Sequence, residues 1–447
     1  MTVDADGAFR DAHGRFVLLH GVNLVDKRPP YLPSPDEFGP ADASLIRDLG
    51  FNIVRLGFIW AGLEPERGII DATYVARLVE LVDLLGDHGI LVLLDSHQDV
   101  MNERWGGEGF PDWAVDDGGI PIATGLGDWS FNVAQPSLWH AWDAFWANEH
   151  GLVDRYVAAW QSVVAAVADR PNVLGYDLLN EPWPGSDFLS EGVDHQRMQP
   201  VYERLAVAIR EIDTDGVVFW EPDLATHLGR GSRIGPLGDT NVAESFHVYC
   251  PLTLYGVFRV DGLHSPELCG AWSSHRLDLA ARDRARVGGG WLMTEFGATA
   301  LVADAALHAE LADQHLVGWT WWNWKRLDDP TGEPDEALVP HDTGTLSLRS
   351  TALALERIYP RTVAGTPVSL HSDPMAPTGA TSFELHFTAD PAVSAPTEIW
   401  IPARLDPGDD GIVVEGGSFT RSPDGRRLLV EPLDPVPTEL SVQIEAT

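Results

Sequence analysis

The chain has 447 residues, 44% of them hydrophobic and 22% charged, which is long enough for one large barrel plus a small domain and typical of a soluble globular protein. Its 67 acidic against 30 basic residues leave a formal net charge of −37, which disfavours nucleic acid and other polyanions as partners, because no phosphate-neutralising basic patch is visible. The same charge opposes tight docking on an anionic bilayer, and no run approaches the ~18 apolar residues of a membrane span, so no stable membrane insertion is expected.

The N-terminus, Met1-Thr2-Val3-Asp4-Ala5-Asp6, is acidic and no apolar leader core follows. The chain therefore reads as cytoplasmic, or as a mature form whose leader has been removed. Beyond it, apolar runs recur at residues 16–24, 51–58, 90–94, 173–179, 217–220, 242–248, 291–293 and 318–322. Runs of that length, separated by helical stretches, read as buried parallel strands. Residues 74–88 carry Leu78, Val79, Val82 and Leu85 on one helical face, and residues 201–212 carry Leu205, Ala208, Ile209 and Ile212. The repeated unit predicts an α/β fold, a (β/α)8 TIM barrel with long loops. After Tyr359-Pro360 the pattern changes to short segments at 382–387, 398–401, 412–414, 427–430 and 439–444, separated by Pro, Gly, Asp and Ser. That predicts a small β-sandwich. The expected units are residues 1–360, a catalytic barrel, and 361–447, a C-terminal β-sandwich.

In such a barrel, polar residues where strands end converge on the carboxyl-end mouth. Taken in order they are Asn23 and Lys27, Arg55, the cluster Asp95-Ser96-His97-Gln98-Asp99, Asn180-Glu181, His247 and Tyr249, Glu295, and Trp321-Trp322. Two carboxyls about 5–5.5 Å apart can cleave a glycosidic bond as nucleophile and acid/base. Glu295 is the expected nucleophile, kept ionised by Arg55 and hydrogen-bonded by Tyr249. Glu181 is the expected acid/base. Asn180 can bond the sugar 2-hydroxyl, and His97 and Trp322 can hold the same sugar by hydrogen bond and stacking. Trp319, Trp321, Trp322 and Trp324 lie on one strand and alternate faces, so one or two of them can face the site; Trp322 is taken, with Trp321 as the alternative. No His/Cys/Asp cluster at ligand spacing is visible, so neither metal nor other cofactor is expected. Cys250 and Cys269 bracket a loop near one strand end and are candidates for a disulfide, too few for a disulfide scaffold or a zinc site.

Arg, His, Asn-Glu, His-x-Tyr, Glu and Trp, in that order on eight strands, resemble the clan A retaining glycoside hydrolases of family five. The stretches 21–31, Ser96-His97-Gln98-Asp99-Val100, Gly106-Gly107-Glu108-Gly109-Phe110-Pro111, 176–185 and 293–298 resemble the endoglycoceramidases more specifically. One departure is Met101-Asn102, where relatives often carry an aromatic and a hydroxyl residue. The resemblance implies a (β/α)8 barrel with a C-terminal β-sandwich, and hydrolysis of the bond between the oligosaccharide and ceramide of glycosphingolipids. It implies Glu181 as acid/base, Glu295 as nucleophile, and Lys27, His97, Asp99, Asn180, Tyr249 and Trp322 around the sugar; Arg55 and His247 complete the expected site. The implied partner is a ganglioside-like glycosphingolipid, the implied location extracellular, and the expected state a monomer.

A lipid leaving group needs an apolar groove. Trp129, Phe131, Leu138, Trp139, Trp142, Phe145 and Trp146 form one candidate wall, although 139, 142 and 146 also follow the spacing of a core-facing helix. Residues 252–258 form a second. The rival readings are a glucosylceramidase or sterol β-glucosidase, a cellulase-like endoglucanase, and a non-catalytic carbohydrate- or lipid-binding barrel.

Overall fold

Eight strands buried almost throughout their length close on themselves in the computed structural model, which describes residues 1–123, 129–251, 265–332, 335–340, 346–376, 380–433 and 438–445. The strands are His20–Leu24, Ile53–Phe58, Leu91–Ser96, Val173–Asp177, Val217–Trp220, Val242–Val248, Gly290–Phe296 and Gly318–Trp321. All neighbours pair in parallel, and Trp319 against His20 seals the ring. Helices cover the outside. Ala72–Asp87, for example, starts where the Asp71 side chain accepts from the Thr73 and Tyr74 amides, and it buries Tyr74, Leu78, Leu81, Val82 and Leu85.

The interior is layered, because side chains two apart on a strand share a face. The bottom layer is apolar: Ile53, Leu93, Val217, Phe219, Ala243 and Leu292 pack together, with Phe9 entering from the N-terminal segment. One step up the same strands carry Arg55, Asp95 and Ser245, and one step further come His247 and, just past the ends of their strands, His97 and Glu221. The change from oil to charge along one inward face is what builds the site at the carboxyl end. In the seventh strand a register shift between Met293 and Glu295 inserts one residue. Thr294 bonds Ser245 inside the barrel, and Glu295 also turns inward.

Two sheets form the sandwich. The larger takes Thr2–Val3, Phe9–Arg10 and Phe16–Val17 from the N-terminus, followed by Tyr359–Val363, Thr397–Trp400, Arg427–Pro432 and Gly417–Arg421. The smaller is Gly365–Ser372, Thr381–Ala389, Glu439–Glu445 and Ile412–Glu415. Phe383, Leu385, Ile399, Leu428, Val430 and Val442 are buried between them. The run at 16–24 is thus two strands rather than one. Phe16–Val17 pairs with Tyr359–Val363, whereas His20–Leu24 enters the barrel. The Asn52 side chain holds the crossover by bonding the Leu18 carbonyl and the His20 amide. Cys250 and Cys269 form a disulfide across a separation of 19 residues.

Candidate active site

Arg55 is the hub of the mouth. It is fully buried, a position that a guanidinium tolerates only when paired. Its Nε donates to Asp177 Oδ2 (2.9 Å), Nη1 to Glu295 Oε1 (2.7 Å) and Nη2 to Asn180 Oδ1 (2.9 Å), while Asp95 Oδ1 lies 3.0 Å from Nη2. Burial alone would weaken its charge, but Asp95, Asp177 and Glu295 outweigh that and hold it protonated. Arg55 is therefore both a structural tie and a clamp on Glu295. Asp177 and Asp95 were not given these parts in the sequence reading, since neither stands in a local motif with Arg55.

The second oxygen of Glu295 accepts from the Tyr249 hydroxyl at 2.7 Å. Burial, then the Glu295 and Glu181 carboxylates, push the Tyr249 phenol well above its usual range, so it stays a donor. Glu181 is met by His247, whose Nδ1 lies 2.7 Å from Oε1. The same nitrogen is 3.5 Å from Glu295 Oε2. One imidazole nitrogen thus touches both carboxyls and brings Glu181 and Glu295 together at the same point of the mouth. Burial lowers His247, but Glu221 and Glu295 raise it further, to well above an ordinary imidazole. On its other side Glu181 faces His227 at 3.6 Å, which burial drives down to about 3 and so keeps neutral.

Glu181 sits at φ +38°, in the left-handed region that disfavours a side chain of its size. The surroundings enforce it. Gln98 Nε2 donates to both the Asn180 and Glu181 carbonyls (2.7 and 2.9 Å), and the Glu181 amide donates to Glu221 Oε2 (2.9 Å). Asn180, besides accepting from Arg55, donates to the Gln98 carbonyl (3.1 Å).

A second cluster lies across the mouth. Lys27 Nζ reaches Asp99 Oδ2 (2.5 Å), Thr331 Oγ1 (2.8 Å) and Asp329 Oδ2 (3.2 Å), and sits 4.4 Å from the centre of the Trp322 ring. Trp322 stacks on His97 at 5.2 Å, and His97 Nδ1 is 2.7 Å from Asp95 Oδ2. Burial raises Asp99, yet Lys27 and then His97 more than reverse this and bring it down to about 2. Trp321 instead turns outward into the core, where its Nε1 bonds the Glu336 carbonyl. All ten sequence-chosen residues thus stand in one mouth.

Folding also assembles groups that are not visible at ligand spacing in the sequence. Ligating atoms of Glu181, His227 and His247, and of His97, Asp99 and Glu108, lie within 4.8 Å of one another; a third group, Asp116, Glu149 and His150, is away from the mouth. In the first two groups a protein cation already stands where a metal would enter, His247 in one and Lys27 beside Asp99 in the other. The aromatic wall is corrected as well. Leu138, Trp142, Phe145 and Trp146 are buried among Phe110 and Tyr156 and are core. Trp139 leaves them and meets Phe188 (5.2 Å), which meets Trp183 (5.0 Å), two residues beyond Glu181. The side chain of Trp129 and residues 252–258 lie outside the described residues. Met101-Asn102, the departure noted above, ties the Gly-Gly-Glu-Gly loop: the Met101 carbonyl accepts from Phe110 N, and Asn102 Nδ2 donates to Phe110 O.

Residues 34–328 match the model of the cellulase family, glycosyl hydrolase family 5, and residues 357–444 that of the glycoside hydrolase family 5 C-terminal domain. The chain belongs to glycoside hydrolase family 5 and is a glycoside hydrolase. Within that family it is 34% identical to endoglycoceramidase I of Rhodococcus hoagii, over 96% of this chain and 85% of that protein. Endo-glycoceramidase II from Rhodococcus sp., solved as a lactosyl-enzyme intermediate, superposes with a TM-score of 0.82 at 27% identity, over 98% of this chain and 100% of that one. Its ganglioside GM3 complex gives 0.81 at 26%, over 98% and 99%.

Proposed function

We propose that this enzyme hydrolyses the bond between the oligosaccharide and the ceramide of glycosphingolipids, releasing intact glycan and ceramide by double displacement. Glu295 Oε attacks the anomeric carbon while Glu181 gives its proton to the departing ceramide oxygen. A water then gives its proton to Glu181 as its oxygen displaces Glu295, so the anomeric configuration is retained. The observation that carries the roles is the contrast between the two carboxyls. Glu295 is held between a guanidinium and a phenol, fixed and charge-compensated as a nucleophile must be. Among the described residues, the Glu181 carboxyl is met by two imidazoles, His247 and His227, and by no guanidinium, so it is not clamped in its charged form as Glu295 is.

Lys27, Arg55, His97, Asp99, Asn180, His247, Tyr249 and Trp322 are assigned to hold the sugar beside the scissile bond. Trp183, Phe188 and Trp139 are assigned to the ceramide side, next to the acid that protonates the leaving oxygen. As units of the chain, 1–360 form the catalytic barrel and 361–447 the sandwich, with the first strands lent to the larger sandwich sheet. The disulfide favours an oxidising, extracellular setting. Site variants test the roles. Glu295→Ser abolishes hydrolysis, whereas Glu181→Ala is rescued in part by azide or by leaving groups that need no proton; the reverse pattern exchanges the assignments.

A further inference from the structure

Glu221 follows the fifth barrel strand and has no role in the reaction proposed above. It is 1% exposed. Its Oε2 accepts the Glu181 amide at 2.9 Å, and its Oε1 lies 2.9 Å from His247 Nε2, close but at an angle short of a hydrogen bond. His247 Nδ1 in turn lies 2.7 Å from Glu181 Oε1. The contacts close a ring that begins and ends on Glu181. We propose that Glu221 is a positioning residue for the general acid/base, holding the Glu181 backbone directly and orienting its carboxyl through His247. The inference rests on the acid/base reading of Glu181.

Two physical demands meet in that carboxylate. The left-handed backbone at Glu181 needs an acceptor for its buried N–H, and a charged acceptor is stronger than a neutral one. The imidazole that touches Glu181 also needs a reason to be charged. Burial pushes the Glu221 carboxyl up and the facing His247 imidazole pulls it back down, so each of the two favours the charged form of the other. Among the described residues, the other titratable groups facing His247 are Glu295 at 3.5 Å, neutral His227 with ring centroids 5.8 Å apart, Tyr249 edge-on at 6.4 Å, and Arg276, whose Nη2 reaches the His247 carbonyl at 3.5 Å. Glu221 is the anion on the side of the ring away from both Glu181 and Glu295. Gln98 holds the Asn180 and Glu181 carbonyls, but it bears no charge and does not touch the imidazole.

The test compares two β-lactosides in wild type, Glu221→Gln, Glu181→Ala and the double variant. One substrate is a dodecyl glycoside, whose leaving group needs a proton. The other is a dinitrophenyl glycoside, whose leaving group does not. Glu221→Gln is expected to lower kcat/KM on the dodecyl substrate by about tenfold or more and on the dinitrophenyl substrate by less than about threefold. Its alkaline limb on the dodecyl substrate moves to lower pH, because removing an anion beside His247 weakens proton binding around Glu181. Added to Glu181→Ala, the substitution changes little further. Equal losses on both substrates, no loss on the dodecyl substrate, or full additivity with Glu181→Ala overturns the proposal. If Glu181→Ala alone does not discriminate between the leaving groups, the acid/base reading is what fails. Should Glu221→Gln not fold, Glu221→Asp, which withdraws the charge by one methylene, is read the same way.

Discussion

The Arg55 guanidinium sets a geometry that a lysine cannot copy, since it meets Asp177, Glu295 and Asn180 through different nitrogens. Arg55→Lys keeps one charge and loses the fork, so kcat on an aryl β-glycoside is expected to fall about 10²-fold or more. A loss under about threefold contradicts the clamp. Asp99 carries a pH signature. Its carboxyl is depressed from the ordinary aspartate value of 3.8 to about 2, so the stability it contributes is present above pH 3.8 and is lost as pH falls through 2. The size is on the order of 2 kcal/mol. Acid unfolding of Asp99→Asn should lack that part of the slope; an unchanged slope between pH 4 and 2 removes the Lys27–Asp99 pair from the account. Glu181, Glu295 and His97 were legible in the sequence because each closely follows an apolar run, and Arg55 because it is a single charge inside one. Glu221, Asp177, Asp329 and Thr331 were not. Glu221 also follows an apolar run, but no local motif marks it, and the charges that Glu221, Asp177 and the Asp329–Thr331 turn serve, His247, Arg55 and Lys27, stand on other strands or loops, so only closure of the barrel gives them a task.

Among the elements, the loop after the fourth strand does more than carry Glu181. Trp183 and Phe188 lie on it, and Trp139 joins them from the helix Pro136–Trp146. Phe188→Ala should raise KM for a glycolipid about fivefold or more while leaving a dinitrophenyl glycoside nearly unaffected, as a lost apolar contact costs roughly 1–3 kcal/mol. Equal KM changes on both substrates would move the lipid elsewhere. The helical spacing at 139, 142 and 146 was ambiguous in the sequence, and the helix resolves it by burying Trp142 and Trp146 while leaving Trp139 half-buried. The apolar runs located all eight barrel strands, but not their ends. The seventh runs to Phe296 and contains Glu295, because the inserted residue at Thr294 turns a polar position inward without breaking the strand. No periodicity announces such a bulge. The split of 16–24 between two sheets was equally hidden, since both halves are buried.

For the molecule as a whole the governing quantity is a net charge of −37. No helix among the described residues is long and apolar enough to cross a membrane. A lipid substrate must then be taken from a surface against like-charge repulsion whenever that surface is anionic. Turnover on anionic vesicles should be slower than on detergent-dispersed glycolipid, and added salt should narrow the gap, because it screens charges beyond ~8–10 Å. A gap that salt widens points to a different origin. The central claim is endo cleavage at the ceramide, and mass analysis of the products from a purified ganglioside tests it most directly. The account predicts the complete oligosaccharide with its reducing-end glucose attached, together with free ceramide. Release of single sugars with the rest of the glycolipid intact would contradict it.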